Sequence, residues 1–188
     1  MPNHCYQRVR VSGDKEIIAM LHNHLCNEGR FLDAIIPTPL EIWGAPDVDC
    51  IYGKRNSWYD WRLKNWDTKW EVVSFAGGDD NPFDIETSWG EGMKADLDLR
   101  FSDDKEAWFS FACWTAWSPP YAIWKKLMDM GLCVEAKFFD EGGCFVGRWA
   151  DGIMKEWSPS DDMDETRRIT DFVYGEEDYF DFDEDEAI

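Results

Sequence analysis

The sequence predicts an α+β fold, an antiparallel sheet with helices packed on one face. Three observations carry the prediction. Several short segments alternate apolar and polar residues with the two-residue period of a strand. Two longer segments space their apolar residues three and four apart, as an amphipathic helix does. Gly, Pro, Asp and Asn cluster between these segments, where turns are needed.

The first strand covers Arg8 to Ser12, with Val9 and Val11 on one face, and Gly13 ends it. Asp14 then caps a helix that runs to about Cys26 with Ile17, Ile18, Leu21 and Leu25 as its apolar stripe. "IIPTPLEIW" (Ile35 to Trp43) is too rich in proline for regular structure and reads as a packed loop. Ser57 to Asn65 forms a short helix with Ser57 as its cap. Lys69 to Phe75 alternates like a strand with Trp70 on the buried side, and "AGGDDNP" turns the chain. Ala95 to Phe101 and Ala107 to Trp114 pair as a hairpin. A second helix starts at Ser118, favoured by Pro119 in its first turn, buries Ile123, Leu127 and Met130, and closes at Gly131. Leu132 to Phe139, Cys144 to Trp149 and Ile153 to Trp157 complete an antiparallel meander.

Two strand-helix-strand passes on one antiparallel sheet make a ferredoxin-like sandwich, with two helices on one face and extra hairpin strands. The expected domain spans residues 1–157 with an insertion at about 27–68, followed by an acidic extension at 158–188. The 12 tryptophans fill the layer between helices and sheet or cover the other face.

Composition sets further limits. A chain of 188 residues holds one domain with a real core. It has no apolar run long enough for a membrane span and no secretory leader, so a cytoplasmic location is expected. The six cysteines are scattered without a CxxC pair and read as reduced thiols. His22, His24 and Cys26 are clustered, but alternate helical positions do not share a face, so no metal site is expected. No cofactor is expected either. The net charge of -20 opposes direct nucleic-acid binding, which rests on Lys and Arg neutralising phosphates. It suits a basic partner.

The charge concentrates at the end of the chain. Residues 160–188 carry 13 acidic residues against two arginines, so -11 of the net -20 lies there. Phe172, Tyr174, Tyr179, Phe180 and Phe182 lie among them, more aromatic content than an acidic linker carries. The segment reads either as an ordered edge that docks its rings and displays its carboxylates, or as a solvated tail.

"MPNHCYQRVRVSG", the "IIPTP" loop, "WYDWRLKNWDTKW", "FACWTAWSPP" and "FFDEGGCFVGRWADG" follow one another in an order that resembles the YubB ferredoxin-like domain family of conjugative plasmids and bacteriophages. The resemblance covers roughly residues 1–157 and implies a fold and a mobile-element setting, with no catalytic residues. His4 stands where that family usually has tryptophan and Asp67 where it usually has glycine. If that position needs a positive φ, aspartate is one of the few residues that tolerates it.

No constellation identifies a reaction. His4 and Cys5 are strand neighbours pointing to opposite faces, so they make a poor nucleophile-base pair. "DFDEDE" lacks the central glycine and the later glutamate of a calcium loop, and in "FAGGDD" and "DEGGCF" no lysine or helix-opening pattern of a phosphate loop follows. The expected function is therefore non-enzymatic. A phage or plasmid accessory protein would bind a host protein that has a basic, nucleic-acid-binding surface. Its most specific form is an acidic mimic of nucleic acid that inhibits a CRISPR or restriction defence system in the host cytoplasm. The expected contact residues are Asp161, Asp162, Asp164, Glu165, Asp171, Glu176, Glu177, Asp178, Asp181, Asp183, Glu184, Asp185 and Glu186. Asp181, Asp183 and Asp185 have the spacing of about 6.8 Å that alternate strand positions give. The alternative is a binding module using an aromatic face of Trp58, Trp61, Trp66, Trp114 and Trp117, possible on single-stranded nucleic acid by base stacking.

Overall fold

The computed structural model describes residues 3–28, 30–42, 58–74, 85–87 and 105–174. Strand β1 (His4–Asp14) runs into helix α1 (Lys15–Asn23), which continues as a π-helical turn, His24–Glu28. Helices α2 (Phe31–Ile35) and α3 (Trp58–Trp66) precede two short strands, β2 (Val73–Ser74) and β3 (Ile85–Thr87). Strand β4 (Glu106–Ala116) leads to α4 (Tyr121–Asp129). The chain then forms β5 (Cys133–Asp140), β6 (Val146–Ala150), β7 (Ile153–Trp157) and α5 (Met163–Tyr174).

All pairings are antiparallel, in the order β2-β4-β1-β5-β6-β7, with β3 also on the outer edge of β4. β1 is central, bonded to β4 from His4↔Ala116 to Asp14↔Glu106 and to β5 from Cys5↔Asp140 to Ser12↔Cys133. Its long alternation explains that position. Cys5, Val9 and Val11 join one core, while Tyr6, Arg8 and Arg10 point to the opposite face. On the first face Phe109, Phe111, Val134, Ala136 and Phe138 meet Ile18, Leu21, Leu25, Ile123, Trp124 and Leu127 from the helices.

Helix α5 covers part of the second face. Ile169, Phe172 and Val173 are buried against Val146, with Tyr6, Phe139 and Trp157 packed around them. The Arg8 guanidinium lies 5.9 Å from the Phe172 ring centroid and the Lys137 ammonium 4.5 Å, so sheet cations meet a helix ring. Helices therefore pack on both faces, where the sequence reading put two helices on one. The first part of the expected extension is this amphipathic helix, so Asp171 to Tyr174 are helical. The missed signal is the spacing of Ile169, Phe172 and Val173, three and four apart within an acidic stretch.

Other differences have local causes. Phe31 to Ile35 is a helix, because Glu71 caps it from a distant part of the chain. The strand predicted from Lys69 begins only at Val73, since residues 67–70 bend around a buried threonine, and its predicted end at Phe75 lies outside the described residues. The predicted strand Ala95 to Phe101 lies outside the described residues.

That bend ties three elements together. Thr68 is fully buried, and its hydroxyl donates to the Ala116 carbonyl at 3.0 Å and accepts from the Ala116 N–H at 3.1 Å. Asp67 has φ +64, the left-handed conformation that aspartate tolerates. Its Oδ2 accepts from the Ala122 N–H at 2.8 Å, capping α4 where Pro120 has no side chain to do so, and its carbonyl accepts from the Ser118 hydroxyl. Replacing Thr68 with valine keeps the shape and strands the buried Ala116 N–H, while the Ala116 carbonyl keeps the Ser118 N–H at 3.0 Å. The expected cost is about 2 kcal/mol. Asp67→Gly keeps the backbone conformation and loses only the cap, for about 1 kcal/mol or less. Urea unfolding of the two variants checks the order, and an equal or larger loss for Asp67→Gly contradicts it.

Candidate functional site

The described tail carboxylates do not form one surface. Asp162 Oδ1 accepts from the Glu165 N–H at 2.9 Å and caps α5. Asp161 Oδ2 accepts from the Ser158 N–H at 3.3 Å within the preceding turn. Glu165 faces Arg148 at 4.0 Å and Arg168 at 3.7 Å. Asp164 is exposed and Asp171 half-buried. The two arginines of α5 nearly balance its three acids, so the helix carries only -1. Glu176, Glu177, Asp178, Asp181, Asp183, Glu184, Asp185 and Glu186, which hold -8 of the tail charge, lie outside the described residues.

The five tryptophans of the aromatic alternative separate. Trp66 is fully buried and donates from Nε1 to the Ile36 carbonyl at 2.9 Å, so it belongs to the core. Trp61 packs edge-on against it at 6.1 Å. Trp58 is half-buried on α3, with the Arg62 guanidinium 5.4 Å from its ring. Only Trp114 stands on the sheet, half-buried, 4.2 Å from the His4 ring and 5.7 Å from Trp70. Trp117 is 37% exposed just beyond β4.

What these residues do build is an aromatic corner around a lysine. The Lys69 ammonium lies 4.4 Å from the Trp70 centroid, 4.6 Å from Trp117 and 5.8 Å from Tyr59. Such a box favours a cation through the ring quadrupoles, and here the chain's own ammonium supplies it. Beside it, His4 Nδ1 meets Glu141 Oε2 at 3.0 Å, which ties the β5–β6 turn to the start of β1.

Two titratable groups were not selected from the sequence. Glu71 is deeply placed, with its carboxylate accepting from the N–H groups of Leu32 at 2.6 Å, Asp33 at 3.0 Å and Val72 at 3.2 Å. Burial raises its pKa from 4.5 to about 7, against those three donors and the Arg62 charge, which favour the ionised form. Its partners on α2 lie 38 and 39 positions away, so no local pattern marks it. His22 and Cys26 form the second pair, with Sγ 3.4 Å from Nε2. The i, i+4 spacing on one helical run carries that signal, and comparing His24 with its immediate neighbours hides it. Burial pushes the thiol up and the imidazole down, so both neutral forms are favoured and the thiolate-imidazolium couple is not.

Among the described residues no three His, Cys, Asp or Glu side chains come together as metal ligands, and no helix is long and apolar enough to cross a membrane. Comparison of the chain with protein-family models, with curated proteins and with solved structures finds no match.

Glu71 makes stability depend on pH. Its folded-state pKa is raised, so the stability it contributes is fully present below pH 4.5 and is lost as pH rises through about 7. Glu71→Gln removes that titration and sets an amide NH2, which cannot accept, against one of the α2 N–H donors. Thermal melts between pH 5 and pH 8 are expected to show a shallower pH slope for the variant, with a lower Tm at pH 5. An unchanged slope contradicts the assignment.

Proposed function

We propose that this protein is a non-enzymatic binding protein of ferredoxin-like topology, akin to the YubB-like proteins of plasmids and phages. The topology reading is supported by the order β5-β1-β4-β2, with α1 between β1 and β2 and α4 between β4 and β5. The proposed partner is a host protein with a basic, nucleic-acid-binding surface, and the specific form is inhibition of a host defence complex by mimicry of phosphate charge. The single observation that carries this reading is the net charge of -20 on a chain of 188 residues. A charge of that size steers association with a basic groove and repels nucleic acid itself.

A second reading has one observation in its favour. Trp117 and the Lys69 box form a partly exposed aromatic and cationic corner of the kind on which a base can stack. Covering of the second sheet face by α5 weighs against an open sheet platform, and the net charge weighs against a phosphate backbone.

Affinity capture from bacterial lysate tests the proposal, with the captured proteins identified by mass spectrometry. A basic nucleic-acid-binding protein is expected, held at 50 mM salt and weakened tenfold or more by about 300 mM. The chain should be truncated after Tyr174, because a cut at residue 160 would also strip α5 from the sheet. This truncation removes eight carboxylates, leaves the helix and is expected to weaken capture. Steeply salt-dependent binding of single-stranded oligonucleotides by the intact protein would instead favour the aromatic corner.

A further inference from the structure

The sheet path ends at β7, and the backbone there points to a docking edge. β6 and β7 are joined by Asp151 and Gly152, with φ +49 and +79, and the closing pair is Ala150↔Ile153. Two successive left-handed residues make a type I′ hairpin turn, in which the closing pair exchanges both main-chain bonds. Bonded and non-bonded pairs then alternate along an antiparallel ladder. Ile153, Lys155 and Trp157 therefore bond to β6 through Ala150, Arg148 and Val146, and Met154 and Glu156 turn their N–H and C=O groups outward. Among the described residues no strand pairs with that outer side.

The side chains blunt this edge only in part, through the exposed charges of Lys155 and Glu156. Exposed strand edges usually carry proline, bulges or several charges that discourage pairing. β7 carries no proline, and two of its five residues are large apolar side chains left in water, Ile153 at 64% and Met154 at 48% exposure. They stand on opposite faces of the strand, so a chain laid alongside finds an apolar contact on each side. Glu156 and Asp151 place exposed carboxylates along the same edge, with the exposed Lys155 between them, so its local charge is -1; Glu156 has its Oε2 3.1 Å from the Tyr121 hydroxyl.

We propose that β7 is a strand-addition site for an extended, basic segment of a partner protein. The outward amides of Met154 and Glu156 call for an extended main chain, since only another strand satisfies alternating N–H and C=O groups at that spacing. The edge carboxylates and the net charge of -20 select a cationic segment, and they oppose a second copy of this chain, which brings the same charge. The cationic character rests on the reading of a basic partner given above. The strand-addition geometry rests on β7 alone.

The test uses the full chain and a capped six-residue peptide that alternates lysine and valine, with a counterpart in which glutamate replaces lysine. Binding of the lysine peptide is expected to slow hydrogen exchange at the Met154 and Glu156 amides, and to be at least tenfold tighter than binding of the glutamate peptide. Met154→Pro removes one outward N–H without touching the β6 ladder, a substitution that edges tolerate, and is expected to abolish the protection. Met154→Lys keeps the N–H and is expected to weaken the lysine peptide at least threefold while leaving the fold intact by circular dichroism. Binding that Met154→Pro does not change, or protection confined to other strands, overturns the proposal. Sedimentation showing a dimer that Met154→Pro dissolves also overturns it, in favour of a second copy. If the lysine peptide docks on β7 and lysate capture yields no basic protein, the edge stands and the mimicry reading falls. If a basic protein is captured equally by Met154→Pro, the mimicry reading stands and the edge falls.

Discussion

The reciprocal hydrogen bonds between Thr68 and Ala116 fix how the segment leading into β2 meets the end of β4. They close the end of β4, which is the strand that carries β2 and β3 on its outer side and β1 on its inner side. The residue before Thr68 caps α4, and the residues after it lead into Lys69, Trp70 and Glu71. One short bend thus sets the position of α4, the aromatic corner and the cap of α2. Its cost is a left-handed aspartate and a fully buried hydroxyl, and both are satisfied by hydrogen bonds.

The sheet explains the other half of the architecture. Its first face is apolar along β1, β4 and β5 and takes α1, α2 and α4. Its second face mixes Tyr6, Arg8, Lys137, Phe139 and Arg148. Such a face suits neither water alone nor a plain apolar helix. α5 matches it, with Phe172 among the cations, Ile169 and Val173 on Val146, and Glu165 facing Arg148. The acidic tail therefore begins as a structural element, and its first carboxylates are spent on a cap, a turn and an ion pair.

How much of this could be read from the sequence follows the range of the interactions. Asp14 as the cap of α1, the apolar stripe of that helix, the short helix read over Ser57 to Asn65 and found at Trp58–Trp66, and the strand at Ile153–Trp157 depend on neighbours within a few residues, and the sequence reading finds them. The glycine that the resembled family usually has at position 67 raised a positive φ there as a condition, and the φ of +64 at Asp67 meets it. The helix at Phe31–Ile35 and the late start of β2 were missed because Glu71 and Thr68 act over 38 or more positions. The face taken by α5 was missed because acidic composition hid an apolar spacing of three and four. Trp66 illustrates the ambiguity of aromatic residues: an indole in a polar-looking stretch proved to be core, its N–H satisfied by Ile36.

Charge and fold meet at the helix termini. Asp14 bonds the second and third amides of α1, Glu71 those of α2, Asp67 the second amide of α4, and Asp162 the third amide of α5. Four helices thus begin at a carboxylate, where orphan N–H groups and the positive end of the helix dipole favour negative charge. An acid-rich composition serves folding here through a definite geometry, and two of these caps come from remote parts of the chain. Yet the caps engage four of the 39 acidic residues. Asp33, Asp140, Asp161 and Glu165 engage the fold as well, through backbone N–H groups or an arginine. The proposed basic partner would use the exposed remainder, and the edge of β7, with which no strand pairs among the described residues, would offer it a main-chain handhold beside two exposed carboxylates.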